Sequence, residues 1–172
     1  MFPHNVSVGN NSLAANIGGA ENTALGYTAL NKNVSGIRNV SVGFSSLFNN
    51  LGSGNIGIGY ASLYEGTTGV DNTIIGNNTG RGITTGTKNT ILGANVIGLT
   101  ATLSNNIIIA DGDGNQRIRV LANGNVGIGV TAPTSKLQVT GLVEYASDAA
   151  AGTAGLTTGA FYHTAGTVKI KL

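Results

Sequence analysis

The chain has 172 residues and a formal net charge of +2, and only 9% of it is charged, against roughly 25% in an average soluble domain. Its nine Lys and Arg are scattered, which excludes a nucleic-acid footprint, and the absence of Cys excludes disulfides and thiolate metal sites. Gly reaches 28 residues without a third-residue period, which excludes collagen, and 41% hydrophobic content excludes a disordered tract.

In chain order, Met1-Phe2-Pro3-His4 lacks the charged and apolar regions of a secretory signal, so none is read there. No stretch approaches the length of a membrane-spanning helix. From Asn5 the sequence repeats. Asn5-Val6-Ser7-Val8-Gly9 returns as Asn22-Thr23-Ala24-Leu25-Gly26, Asn39-Val40-Ser41-Val42-Gly43 and Asn55-Ile56-Gly57-Ile58-Gly59. Further copies start at Asn72, Asn89, Asn106 and Asn125, and the spacings are 17, 17, 16, 17, 17, 17 and 19. Such a period marks a solenoid, whose units bury a core only by stacking.

Each copy predicts a short strand. The first and third positions after the Asn, as in Val6/Val8, Val40/Val42 and Ile56/Ile58, alternate in the manner of a strand face and are expected to fill the interior. On that reading Thr23, Thr73 and Thr90 sit at a core-facing offset, with no paired Thr column. The middle position is small in early copies and becomes Ile74, Ile91 and Ile108 later. This second face is expected to meet a neighbouring chain. A second short strand is expected around Leu13, Leu30, Leu47 and Leu63, after a Gly corner. The eight Asn, namely Asn5, Asn22, Asn39, Asn55, Asn72, Asn89, Asn106 and Asn125, are expected to form a structural ladder along the stack or to hold left-handed turns.

Residues 1–110 therefore read as the repeat solenoid and 111–141 as a last hairpin with a terminal repeat. Residues 142–172 read as a small C-terminal capping or trimerisation segment. In it, Ser147-Asp148 caps a helix through Ala149–Ala151. Gly159–His163 and Thr167–Leu172 are strands about a turn at Thr164-Ala165-Gly166.

Candidate chemistry is sparse. The two histidines, His4 and His163, lie far apart and assemble no nucleophilic triad. No acidic pair is evident for glycoside hydrolysis, although Glu65 and Asp71 bracket one loop. No enzyme and no cofactor is expected. Asp111-Gly112-Asp113-Gly114-Asn115 echoes the start of a calcium loop, with Asp111, Asp113 and Asn115 as ligands. The closing Glu is missing, because Ala122 stands there. The plainer reading is a hairpin turn between Ile107–Ile109 and Ile118–Val120. Tyr27, Phe44 and Tyr60 share one offset and are expected to stack, either as a glycan-binding ladder or at an interchain seam. Tyr162 and His163 are further candidates for glycan contact.

Asn22-Thr23-Ala24-Leu25-Gly26-Tyr27-Thr28-Ala29-Leu30 and its relatives, over about residues 5 to 110, resemble the head repeats of trimeric autotransporter adhesins. They resemble still more the arrays of bacteriophage tail fibres. Gly124–Gly141 is similar to a stretch common in phage fibres, often upstream of an intramolecular endosialidase-type chaperone domain. Tyr145–Leu172 resembles short C-terminal segments of phage tail proteins. The resemblance implies a homotrimeric fibre, held together by copies of itself and other virion proteins, that recognises a host-surface glycan or protein from a phage tail. An adhesin would carry a secretion signal and a membrane barrel, neither of which is seen here, so the head of a bacterial surface adhesin is the second reading. The expected fold is a trimeric all-β solenoid, either a β-roll per chain or an intertwined triple β-helix, with a small α/β cap.

Overall fold

The computed structural model describes residues 4–165 and 167–172. Met1–Pro3 and Gly166 of the expected C-terminal turn lie outside the described residues. Two compact units are present, one reaching Gln138 and the other spanning Val139–Leu172. Residues 111–138 thus belong with the coils.

The first unit is a β-solenoid. Its strands are β1 (Val6–Val8), β2 (Thr23–Leu25), β3 (Val40–Val42), β4 (Ile56–Ile58), β5 (Thr73–Ile75), β6 (Thr90–Leu92) and β7 (Ile107–Ala110). Each pairs in parallel with the next, in unbroken register from Val6↔Thr23 to Leu92↔Ile109. One strand per coil and one coil per repeat give a single-chain stack at about 4.8 Å per coil. This is the β-roll of the two expected architectures. The direction then reverses. β8 (Gln116–Val120) runs antiparallel to β7 and β9 (Val126–Ile128) antiparallel to β8, and β10 (Leu137–Val139) ends the sheet.

The inside of the coil is the opposite of the one expected. The middle residue of each strand from β2 to β7 points inward: Ala24, Ser41, Ile74, Ile91 and Ile108 are all 0% exposed. The first and third residues look outward. Val8, Leu25, Leu92 and Ile107 are about half exposed, and the three Thr at the first position share that outer face. Volume explains the arrangement. Leu30, Leu47 and Leu63, each eight residues after the repeat Asn, are fully buried. The strand residues in the same coils are Ala24, Ser41 and Gly57. In the fifth coil Gly80 stands where Leu63 stood one coil earlier, and Ile74 grows into the vacated space. A Cβ built on Gly80 would lie 2.9 Å from Ile74 Cγ2. Conversely, a Cβ on Gly57 would lie 2.7 Å from Leu47 Cγ. In coils two to four the Leu supplies the large side chain, and in the fifth coil Ile74 supplies that volume from the strand wall, with Ile83 buried in the same core. Burial of each stabilises the stack by about 1.5–3 kcal/mol.

The expected second strand is instead a turn. Thr28 and Leu30 have φ of 53° and 50°, Ser45 and Leu47 have 51° and 50°, and Ala61 and Leu63 have 48° and 47°. Alternate left-handed residues let successive amides point to opposite neighbours. Thr28 N–H donates to Asn10 C=O in the coil before, and Leu30 N–H to Ser46 C=O in the coil after. The inter-coil hydrogen bonding of a sheet is kept while the chain curls enough to close a 17-residue coil. Between strand and turn, Gly9, Gly26, Gly43, Gly59, Gly76 and Gly93 stack at φ of 124–147°. A Cβ on Gly43 would lie 2.5 Å from Gly59 O, so this corner admits no side chain.

In the second unit Ser147 caps α1 (Asp148–Thr153), its Oγ accepting from Ala150 N–H. β11 (Phe161–Thr164) pairs antiparallel with β12 (Thr167–Ile170). Tyr162 packs edge-on against Tyr145. Lys171 Nζ reaches Asp148 Oδ2 at 3.0 Å, tying the chain end to the start of α1. The carboxyl of Asp148 is held below its usual range by the hydrogen bond from Lys171 and that from Leu172 N–H.

Candidate interaction surface

The Asn column lies inside the wall. Asn22 N–H donates to Asn5 Oδ1 at 2.8 Å, Asn39 to Asn22 at 2.9 Å, Asn55 to Asn39 at 2.9 Å, Asn72 to Asn55 at 3.0 Å, and Asn89 to Asn72 and Asn106 to Asn89 at 3.1 Å. Most of the carboxamide nitrogens also span to a Gly carbonyl near the end of their own coil, such as Asn22 to Gly36 and Asn72 to Gly86. The left-handed residue is the one before the Asn, as at Glu21, Arg38, Asp71 and Lys88. The Asn therefore act through their side chains, not through a left-handed turn. Arg119 of β8 ends the run: its Nε and Nη2 take Asn106 Oδ1 at 3.3 and 3.2 Å, where the next Asn would otherwise donate. Burial lowers the pKa of this guanidinium. Asn125 stands outside the ladder and donates to Pro133 C=O instead. The two-residue lengthening of its spacing marks the switch to antiparallel pairing.

The Asp111 loop is the hairpin turn between β7 and β8. Asp111 Oδ1 accepts from Asp113 N–H and Asn115 N–H at 3.0 Å, and Oδ2 accepts from Asn115 Nδ2 at 3.0 Å and Arg117 Nε at 2.9 Å. These bonds, that of the Asn115 side chain foremost, hold its pKa at about 2. The Asp111 carboxylate is thus engaged by donors of its own hairpin, as the plainer reading of this loop expects. Among the described residues no group of three or more His, Asp or Glu side chains is placed to hold a metal. Glu65 is taken up in the same way, accepting from Arg81 Nε at 2.7 Å with both oxygens and from Gly82 N–H.

Tyr27, Phe44 and Tyr60 stack with centroids 5.1 and 5.4 Å apart. Phe44 is stacked on both faces, Tyr27 and Tyr60 on one each. The ladder forms an exposed apolar rib. A second ladder, unforeseen in the sequence, joins Phe48 and Tyr64 at 5.1 Å. Lys32 lies over one end and Arg81 over the other, at 5.1 and 5.2 Å from the ring centroids. The matching offsets of Phe48 and Tyr64 after Asn39 and Asn55 were a usable signal. In the second unit Tyr162 is 3% exposed, so its ring is not offered to a glycan. His163 keeps Nδ1 buried without a hydrogen bond, with Glu144 Oε1 at 4.0 Å.

What remains for function is the outer sheet face. Its two columns run Val6, Thr23, Val40, Ile56, Thr73, Thr90, Ile107 and Val8, Leu25, Val42, Ile58, Ile75, Leu92, Ile109, with no charged residue in either. The aromatic rib flanks them. Together they expose on the order of 1,000 Å² of apolar surface, against roughly 300–600 Å² for the largest patch of a typical monomer. Among the described residues no helix is long and apolar enough to cross a membrane. The chain matches no known protein family, no curated protein and no solved structure.

Proposed function

We propose that the chain is a structural, non-enzymatic segment of a homotrimeric fibre, of the kind found in bacteriophage tails, that contributes to attachment at a host surface. The observation that carries this reading is the uncharged aliphatic face on the outside of a solenoid whose bore is already full. Such a face costs solubility in a lone chain and drives association when matched to a second copy. Together with the aromatic rib it is comparable with the roughly 800 Å² that each partner contributes to a standard interface. A solenoid in strict register is also a rod, which suits an element that sets distance between a particle and a surface. The resemblance of residues 5 to 110 to fibre repeats supports the same reading. The interchain seam is assigned to the first and third strand positions, not to Ile74, Ile91 and Ile108, which fill the bore. Sedimentation equilibrium tests the proposal. A species near three times 17.2 kDa is expected, and a folded monomer at micromolar concentration overturns it.

A further inference from the structure

A second apolar strip lies elsewhere on the coil. Ile17, Val34 and Leu51 follow Asn16, Asn33 and Asn50, each 17 residues after the last. They are 68%, 40% and 44% exposed. The Asn before them are anchored inward, Asn33 Nδ2 reaching Asn16 Oδ1 and Gly36 C=O, and Asn50 Nδ2 reaching Gly52 C=O. The strip is thus a firm ridge. In later coils Thr67, Thr84 and Ala101 take its place. The aromatic rib is displaced by one coil: it occupies coils two to four and gives way to Asn77 and Ala94.

Two unlike apolar strips of three steps each, overlapping in coils two and three, are what a cyclic assembly requires. In a ring of three the contacts off the axis are heterologous, joining one patch of a chain to a different patch of the next. A two-fold dimer needs only one self-complementary patch. We infer that the ridge Ile17–Val34–Leu51 of one chain packs against the rib Tyr27–Phe44–Tyr60 of a second copy, while the aliphatic sheet faces meet nearer the axis. This rests on the trimeric reading. With the three-fold parallel to the stack, residues of the same coil meet, Val34 against Tyr27 and Leu51 against Phe44. The coil rise of about 4.8 Å is common to both strips, so their steps coincide in coils two and three, while Ile17 and Tyr60 lie one coil beyond the shared levels.

The absence of native Cys makes the test clean. The double variant Phe44→Cys/Leu51→Cys is oxidised and run on a non-reducing denaturing gel, with sedimentation equilibrium on the same sample. Covalent trimers are expected. Should that variant fold poorly, Tyr27→Cys/Val34→Cys probes the neighbouring step. A trimer by sedimentation that shows no interchain disulfide in either variant, or only a bridge within one chain, overturns the ridge assignment and leaves the fibre reading standing. A monomer before oxidation overturns both. In the otherwise unaltered chain, Val34→Asn is expected to weaken association roughly tenfold, and unchanged association counts against the ridge.

Discussion

Replacement of Asn72 by Ala tests the ladder where it is most enclosed. Asn72 is fully buried. Its Oδ1 accepts from Asn89 N–H at 3.1 Å and Asn89 Nδ2 at 2.9 Å, and its Nδ2 donates to Asn55 Oδ1 and Gly86 C=O at 3.0 and 2.9 Å. Truncation leaves two buried backbone groups, Asn89 N–H and Gly86 C=O, without these partners. Each orphaned group costs about 1–3 kcal/mol, so the loss is roughly 2–6 kcal/mol. Asn125→Ala is the control, since Asn125 sits off the ladder with one side-chain bond to Pro133 C=O and is expected to cost about 1 kcal/mol. The assay is urea unfolding followed by far-ultraviolet circular dichroism at one fixed protein concentration, because association would make the midpoint concentration-dependent. Equal losses for the two variants, or a loss below about 1 kcal/mol for Asn72→Ala, would refute the assignment of the repeat Asn as the hydrogen-bonding spine.

Two further outcomes follow from the bore and the hairpin. Gly80→Leu alone is expected to destabilise, since its Cβ would press on Ile74 Cγ2, and Ile74→Ala alone to cost about 2–5 kcal/mol. The double variant rebuilds the arrangement of the second coil and is expected to recover most of both losses, as a coupling energy in a double-mutant cycle. Additive losses would contradict the exchange of volume between the strand wall and the turn wall. Asp111 has its pKa lowered from 3.8 to about 2 in the folded chain. Its contribution is therefore complete above pH 3.8 and declines as pH falls towards 2. Amide exchange at Asp113 and Asn115 is expected to gain protection loss over that window beyond the intrinsic pH dependence, and Asp111→Asn to flatten it. A window displaced to higher pH would contradict the assignment.

The period, the strands and the spine of Asn were legible because stacking forces one residue type to recur wherever backbone must meet backbone. The corner Gly are the plainest case, since a side chain there strikes the next coil. The sense of the strand was not legible. Alternation of period two divides a strand into faces without saying which is inside, and here the outer face is as aliphatic as the inner. The deciding signal was the trade of Leu30, Leu47 and Leu63 for Ile74, visible only when positions on opposite walls are compared. The turn carrying those Leu hid for a related reason: left-handed backbone at Thr28, Leu30 and Leu47 runs against the propensity of those residues. The fold tolerates it because each such amide gains a partner in an adjacent coil. Tyr162 was a candidate for surface contact in the sequence, and packing claimed it, whereas the hairpin turn at Asp111 was legible from its Asp-Gly pairs.

The central claim is that the third strand position faces another chain while the second faces the bore. Sedimentation equilibrium of Leu92→Asp beside Ile91→Asp, each with its circular dichroism spectrum, tests it most directly. Adjacent residues of β6 are then set against each other, one half exposed and one fully buried. The account predicts that Leu92→Asp keeps the strand spectrum and falls from trimer to monomer, and that Ile91→Asp loses the fold. A Leu92→Asp variant that stays trimeric, or an Ile91→Asp variant that stays folded, would contradict it.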